Sequence, residues 1–188
     1  MKNAIVTDKA PLRGVFTMRV KDRDGNIVEE YEDHNMIVNG AKLLMAQLVS
    51  DYGKANYNRI KYIGFGTGTT AADPSDTDLQ QRAVTKPIDG FEFPEGTDDR
   101  VQFNWSLDYE EGNGTSDEGM DIQEFGLFSG TYEYAGAEEP SSEDEEESSE
   151  EESSTESTGL VLFAKKTRTR AIFKDTSLSF EGTWTIIF

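Results

Sequence analysis

Apolar and polar residues alternate with a period of two through much of this chain, the pattern of half-buried strands. Residues 14–20 (GVFTMRV) put Phe16, Met18 and Val20 on one side and Val15, Thr17 and Arg19 on the other. Residues 21–25 (KDRDG) carry an Asp-Gly turn signal and 26–31 follow as a return strand, so this part predicts a β-hairpin. Residues 101–109 (VQFNWSLDY) alternate as cleanly, with Val101, Phe103, Trp105 and Leu107 sharing a face. Further strands are predicted at 59–65, 122–128, 160–165, 168–174 and 177–188. Gly126 interrupts one of them and signals a bulge or a close backbone approach. The last segment, SLSFEGTWTIIF, is apolar enough to be expected inside a sheet.

One segment changes period. Ala41, Leu44, Met45 and Leu48 fall at i, i+3, i+4 and i+7, the apolar stripe of a short helix. Asn39 is placed to cap its start and Tyr52-Gly53 to end it. Strands without alternating helices predict a mostly β fold, an antiparallel β-sandwich or open barrel. The one amphipathic helix is expected to cover an edge or end of the sheet. The length, 188 residues, suits one domain: an N-terminal hairpin or attachment arm at 1–33 and a β-sandwich body at 34–188.

Charge changes the picture in one place. The chain has 37 acidic and 18 basic residues, a formal net charge of -19. Residues 138–158 (EEPSSEDEEESSEEESSTEST) hold 11 of the acidic residues and no basic one. Such a block repels itself and has nothing sizeable to bury, so it predicts a disordered acidic loop inserted in the body. Without it, 26 acidic residues face 18 basic ones, an ordinary balance. Overall acidity argues against nucleic acid or an anionic membrane as partner. There is no cysteine, hence no disulfide and no thiolate chemistry. No apolar run reaches the ~20 residues of a membrane span, and MKNAIVTDKAPLRG lacks the apolar core of a signal peptide.

Three segments invite a chemical reading. Gly64, Gly66 and Gly68 (GFGTGTT) suggest a nucleotide loop. The third glycine is misplaced for a dinucleotide fingerprint, no Lys lies between Lys61 and Lys86, and AADPSDTD follows instead of an apolar-faced helix. The expected role is a tight turn with close packing. Asp73, Asp76 and Asp78 offer oxygen ligands in a spacing that matches no calcium loop, so Asx-turns and a helix cap are expected. His34 is the only histidine and has no nucleophile turn to serve, so it is expected as a capping or surface residue. No pair of carboxylates stands out for glycoside hydrolysis. Catalytic, cofactor and metal residues are therefore all expected to be none.

Six segments in order carry a resemblance: HNMIVNGAKLLMAQLV, RIKYIGFGTGTTAADPSDTDL, VQFNWSLDY, DIQEFGLFSG, LVLFAKKTR and IFKDTSLSFEGTWTIIF. The marks are an Asn-led helix, a G-T-G-T-T strand end, a P-x-x-x-D-L loop, I-x-E-x-G-L-F, L-x-A-K, and K-x-x-x-L-x-F running on to W-x-I. This series, over residues 34–188 without the acidic insertion, resembles small structural proteins of tailed bacteriophages. The resemblance implies a non-enzymatic virion protein of the tail, baseplate or collar, assembled in the host cytoplasm as a homo-oligomer with other virion proteins. It also implies two alternatives, a head-decoration or head-fibre protein on the capsid and a receptor- or carbohydrate-binding module of a tail fibre. For the last, Tyr57, Tyr62, Phe65, Tyr132 and Tyr134 are the aromatics near loops.

Overall fold

The first hairpin forms where its pattern predicts. Asp22 organises its turn, accepting hydrogen bonds from the backbone of Asp24 and Asn26, while Gly25 takes the left-handed conformation (φ 81°). The computed structural model describes residues 12–49, 59–114, 118–130 and 159–188. In it β1 (Arg13–Asp22) and β2 (Ile27–Ile37) are followed by α1 (Asn39–Val49) and β3 (Ile60–Gly66). Then come β4 (Arg82–Pro87), β5 (Gly90–Glu92), β6 (Arg100–Leu107), β7 (Met120–Ser129), β8 (Val161–Lys174) and β9 (Leu178–Ile187).

All nine strands join one antiparallel sheet in the order β4-β3-β7-β8-β2-β1-β9-β6-β5. The fold is mostly β with one short helix, and the sheet curls into a half-barrel whose halves face each other. The hairpin expected as a separate unit at 1–33 is part of this sheet. β1 pairs with β9 from Arg13↔Ile187 to Asp22↔Leu178, and Phe16, Met18 and Val20 lie in the core. The apolar last strand is an interior strand of the sheet, between β1 and β6.

Aromatic side chains from the two halves meet inside. Phe16 of β1 contacts Phe125 of β7 at 4.8 Å between centroids, stacks on Trp105 of β6 at 5.4 Å, and meets Trp184 of β9 edge-on at 5.1 Å. Phe65 of β3 meets Trp105 at 5.6 Å. Rings at these separations favour offset and edge-on geometry, which fixes how the halves sit on each other. Ala41 and Leu44 bury the inner side of α1 in the same cluster.

The halves connect at two corners. β2 leaves β1 and pairs with β8 through only Met36↔Lys165 and Ile37↔Ala164. Where the two strands diverge, side chains bridge them: Lys166 bonds Asp33 (2.5 Å), Arg168 bonds Glu29, and the Arg168 guanidinium lies 4.5 Å from the Tyr31 ring. At the other corner the chain passes directly from edge strand β4 to edge strand β5. Ile88 N donates to Lys61 O (2.8 Å) and Asp89 N to Asn104 O (2.9 Å), tying both halves to this crossing.

Several boundaries differ from the sequence pattern. β4 and β5 are not anticipated, since as edges they bury little: Phe91 and Phe93 are exposed. The strands expected at 160–165 and 168–174 are one strand, β8, buried on consecutive residues from Leu162 to Lys166. Consecutive burial hides a period of two because both faces are covered. β2 runs on to Ile37, so His34 is an exposed strand residue, its Nδ1 3.4 Å from Gly14 O. Asn39 is the first residue of α1, and its Oδ1 accepts from Lys42 Nζ at 3.4 Å, a side-chain contact and not the backbone cap expected of it. The predicted stop at Tyr52-Gly53 and the acidic insertion at 138–158 lie outside the described residues.

Candidate functional site

The glycine-rich segment turns backbone amides onto side chains of the protein itself. After β3 the chain loops from Thr67 to Gln81 and lies back over the outer side of the sheet. Thr67 and Gln81 bond through backbone (3.0 Å) and side chains (2.8 Å), while Gln80 Oε1 accepts from the amides of Thr69 and Thr70. The tip reaches the helix start, where Asn39 N donates to Pro74 O (2.8 Å). Leu79 closes a second apolar cluster with Val38, Phe128 and Leu162. β7 and β8 are thereby covered on both faces.

Glu124 fastens this loop. Its side chain is fully buried and its carboxylate accepts from the amides of Gly68 (3.1 Å), Gln80 (2.9 Å) and Gln81 (2.6 Å). Lys165, also buried, lies 3.6 Å from the same carboxylate and 3.0 Å from Asp76. The glycines leave room for this: a Cβ on Gly66 or Gly68 would lie 2.6 or 2.5 Å from Glu124 Oε1. At Gly126 a Cβ would lie 2.7 Å from the Phe128 ring, the close approach its position suggested. Three stretches far apart in sequence, the loop that carries G-T-G-T-T and P-x-x-x-D-L, Glu124 and Lys165, thus meet in one clamp. A carboxylate that accepts from three loop amides and lies beside an ammonium holds the loop in place.

The aspartates of the loop do not converge. Asp73 accepts from Ser75 N (2.8 Å), which with the Ser75 hydroxyl holds its carboxyl below the usual carboxylate range. Asp76 pairs with Lys165, and Asp78 with Arg82 at 3.1 Å. Among the described residues no group of three metal-binding side chains comes together. Phe65 is wholly within the core, and Tyr62 packs partly buried against the second cluster. Tyr57, Tyr132 and Tyr134 lie outside the described residues.

Lys174 makes a second buried polar knot that no motif announces. Its ammonium donates to Asn113 Oδ1 (2.8 Å), Asp175 O (2.9 Å) and Tyr109 O (3.3 Å), pinning the loop after β6 to the end of β8. Burial pushes the amine down to about 8, against the attraction of Asp175 and Glu111. Glu111 itself bonds Lys86 at 2.5 Å. Burial pushes its pKa up, yet the bonds from Lys86 and the Asp108 amide leave it below the ordinary value.

Among the described residues, open concave surfaces include the following two. One, of about 730 Å³, is a polar trough on the outer face of β6, β9 and β1, floored by Thr17, Asn104, Ser106 and Thr183. The Thr17 and Thr183 hydroxyls bond to each other at 2.8 Å across it. The other, of about 450 Å³, is apolar and opens at the end of the half-barrel beside α1. Met45 and Leu48 of the helix, Phe91 of β5, Phe103 of β6, Phe163 of β8 and the final Phe188 line it. Its rim is unusual for a surface: Phe91 is 57% exposed, Phe188 57%, and Phe93, which meets Phe91 edge-on at 6.1 Å, 71%. Clustered exposed aromatics of this kind mark a contact surface. Of the predicted helix stripe, Ala41 and Leu44 are covered while Leu48 is not. No family model, curated protein or solved structure matches the chain.

Proposed function

We propose that this protein is a non-enzymatic structural subunit of a tailed-bacteriophage virion, built to assemble through its apolar end. The observation that carries the reading is the cavity of about 450 Å³ rimmed by exposed Phe91, Phe93 and Phe188. Leaving three aromatic rings in water is costly unless a partner covers them. The buried charges support the same reading, because Glu124, Lys165 and Lys174 are spent on holding loops. The ordered sequence marks supply the phage assignment, with tail, baseplate or collar as the leading place and the capsid surface as the alternative. A glycan-binding module is less well supported, since Phe65 is not available to stack on a sugar. The net charge of -19 speaks against nucleic acid as partner.

Two measurements test this. Mass spectrometry of virions purified from the phage that encodes the chain should find the polypeptide in stoichiometric amounts; its absence would refute the assignment. Light scattering on the purified protein should show an oligomer that Phe91→Ser/Phe93→Ser dissociates without changing the far-UV circular dichroism.

A further inference from the structure

The buried knot at Lys174 sets an amine against a carboxamide. Lys174 Nζ donates to Asn113 Oδ1 at 2.8 Å, and the two residues are 0% and 3% exposed. Both partners are fixed. Asn113 Nδ2 donates to Tyr109 O (2.8 Å) and the Asn113 backbone carbonyl accepts from Gly119 N (2.8 Å). The amine is held from its other sides by Asp175 O and Tyr109 O. The contact joins the loop after β6 to the last residue of β8 across 61 positions. An amine and an amide carbon held together out of water have the proximity that a reaction between free groups lacks, and the amine has lost the hydration that blunts it. Burial also favours the neutral amine, which is the nucleophilic form.

We propose that Lys174 and Asn113 join through an amide bond between Nζ and Cγ, formed by the folded chain itself. The neutral amine attacks Cγ. The Nζ–Cγ bond forms, the Cγ–Nδ2 bond breaks, and an Nζ proton passes to Nδ2, which leaves as ammonia. Nothing is oxidised or reduced, and no further reactant is consumed. The carboxylates of Asp175, Glu111, Glu110 and Asp108 attract the ammonium and so hold the reaction back, while Lys86, bonded to Glu111, offsets part of that pull. The bond closes a ring of chain from 113 to 174 and restricts the unfolded state as a disulfide does. It also removes the charge at Lys174, so the amine titrates only in chains that have not reacted. None of this rests on the assembly reading above.

Mass spectrometry of the denatured full chain tests the bond. The folded protein is first held at pH 9, where an amine titrating at about 8 is mostly neutral. The chain should then weigh about 17 Da less than its sequence, the mass of the ammonia expelled by the attacking amine. Trypsin cuts after Arg100, Lys165 and Arg170, so the digest should contain 101–165 joined to 171–188 and uncut after Lys174. Lys174→Arg keeps the charge and the donors but presents no neutral amine. It and Asn113→Ala, shown by circular dichroism to be folded, should keep their full mass and release 101–165 unjoined. Full mass in the parent chain after prolonged incubation would overturn the proposal. So would a loss of the same size that persists in Lys174→Arg, since that would place it in a succinimide at Asn39-Gly40 or Asn113-Gly114. Should either variant fail to fold, the digest of the parent chain decides alone: the joined peptide upholds the bond and its absence refutes it.

Discussion

The Glu124 carboxylate lies 3.6 Å from Lys165 Nζ, and both side chains are all but removed from solvent. The pair is not isolated, since three loop amides complete the carboxylate and Asp76 completes the ammonium. Removing one member strands the other charge. Glu124→Ala is expected to destabilise the fold by about 3–5 kcal/mol, the cost of an unpaired buried charge. Glu124→Ala/Lys165→Met should recover part of that loss. Urea unfolding with both single variants and the double variant measures the coupling, and full additivity would mean that the two residues act independently.

Gly182 faces Trp105 across the β6–β9 ladder. A Cβ there would meet Thr17 O at 2.1 Å and the indole at 2.5 Å, so the strand cannot accept a side chain without parting from β1. Gly182→Ala is expected to cost at least about 1–3 kcal/mol through overpacking. It should also alter the near-UV circular dichroism of Trp105 and Trp184. An unchanged melting temperature would mean that this contact is loose.

Acid should loosen the corner between β2 and β8. The bond from Lys166 holds Asp33 at about 2, below its ordinary value of 3.8. A lowered carboxyl contributes stability above 3.8 and loses it as the pH falls from there through about 2. Asp33 is half exposed, so the effect is modest, at most about 1 kcal/mol after screening. Asp33→Asn should flatten the change in melting temperature over that window, and an identical acid profile would remove the latch from the account.

Lys174 gives the opposite window. Its amine titrates near 8 in the folded chain and at its ordinary 10.5 once unfolded. Between those values the unfolded chain holds more protons, so stability from this group rises as pH increases from about 8 to 10.5. Lys174→Met should abolish that rise. At pH 7 it should cost about 1–3 kcal/mol, because Asn113, Asp175 and Tyr109 lose their donor. Thermal melts across pH 7–10.5 read both effects.

The sequence by itself determined the elements whose burial is one-sided. Phe16, Met18 and Val20, and likewise Phe103, Trp105 and Leu107, alternate because one face of their strands packs inward and the other meets water. The same logic set the helix stripe and the mostly β class. Tertiary structure decided what alternation cannot encode. β8 is buried on consecutive residues because the loop 67–81 covers its outer side, and β4 and β5 bury too little to leave a pattern. Whether the sheet would split into a sandwich or run on as a half-barrel was fixed by β2, which pairs with β1 and then, for two residues, with β8. The clamp and the aromatic rim were likewise beyond local reading. Glu124 meets Gly68 across 56 positions, and Phe91 and Phe188 share a cavity only because β5, β6 and β9 are neighbours. Side-chain period is a property of one element and its two faces, whereas these sites are properties of which elements the closing of the sheet brings together.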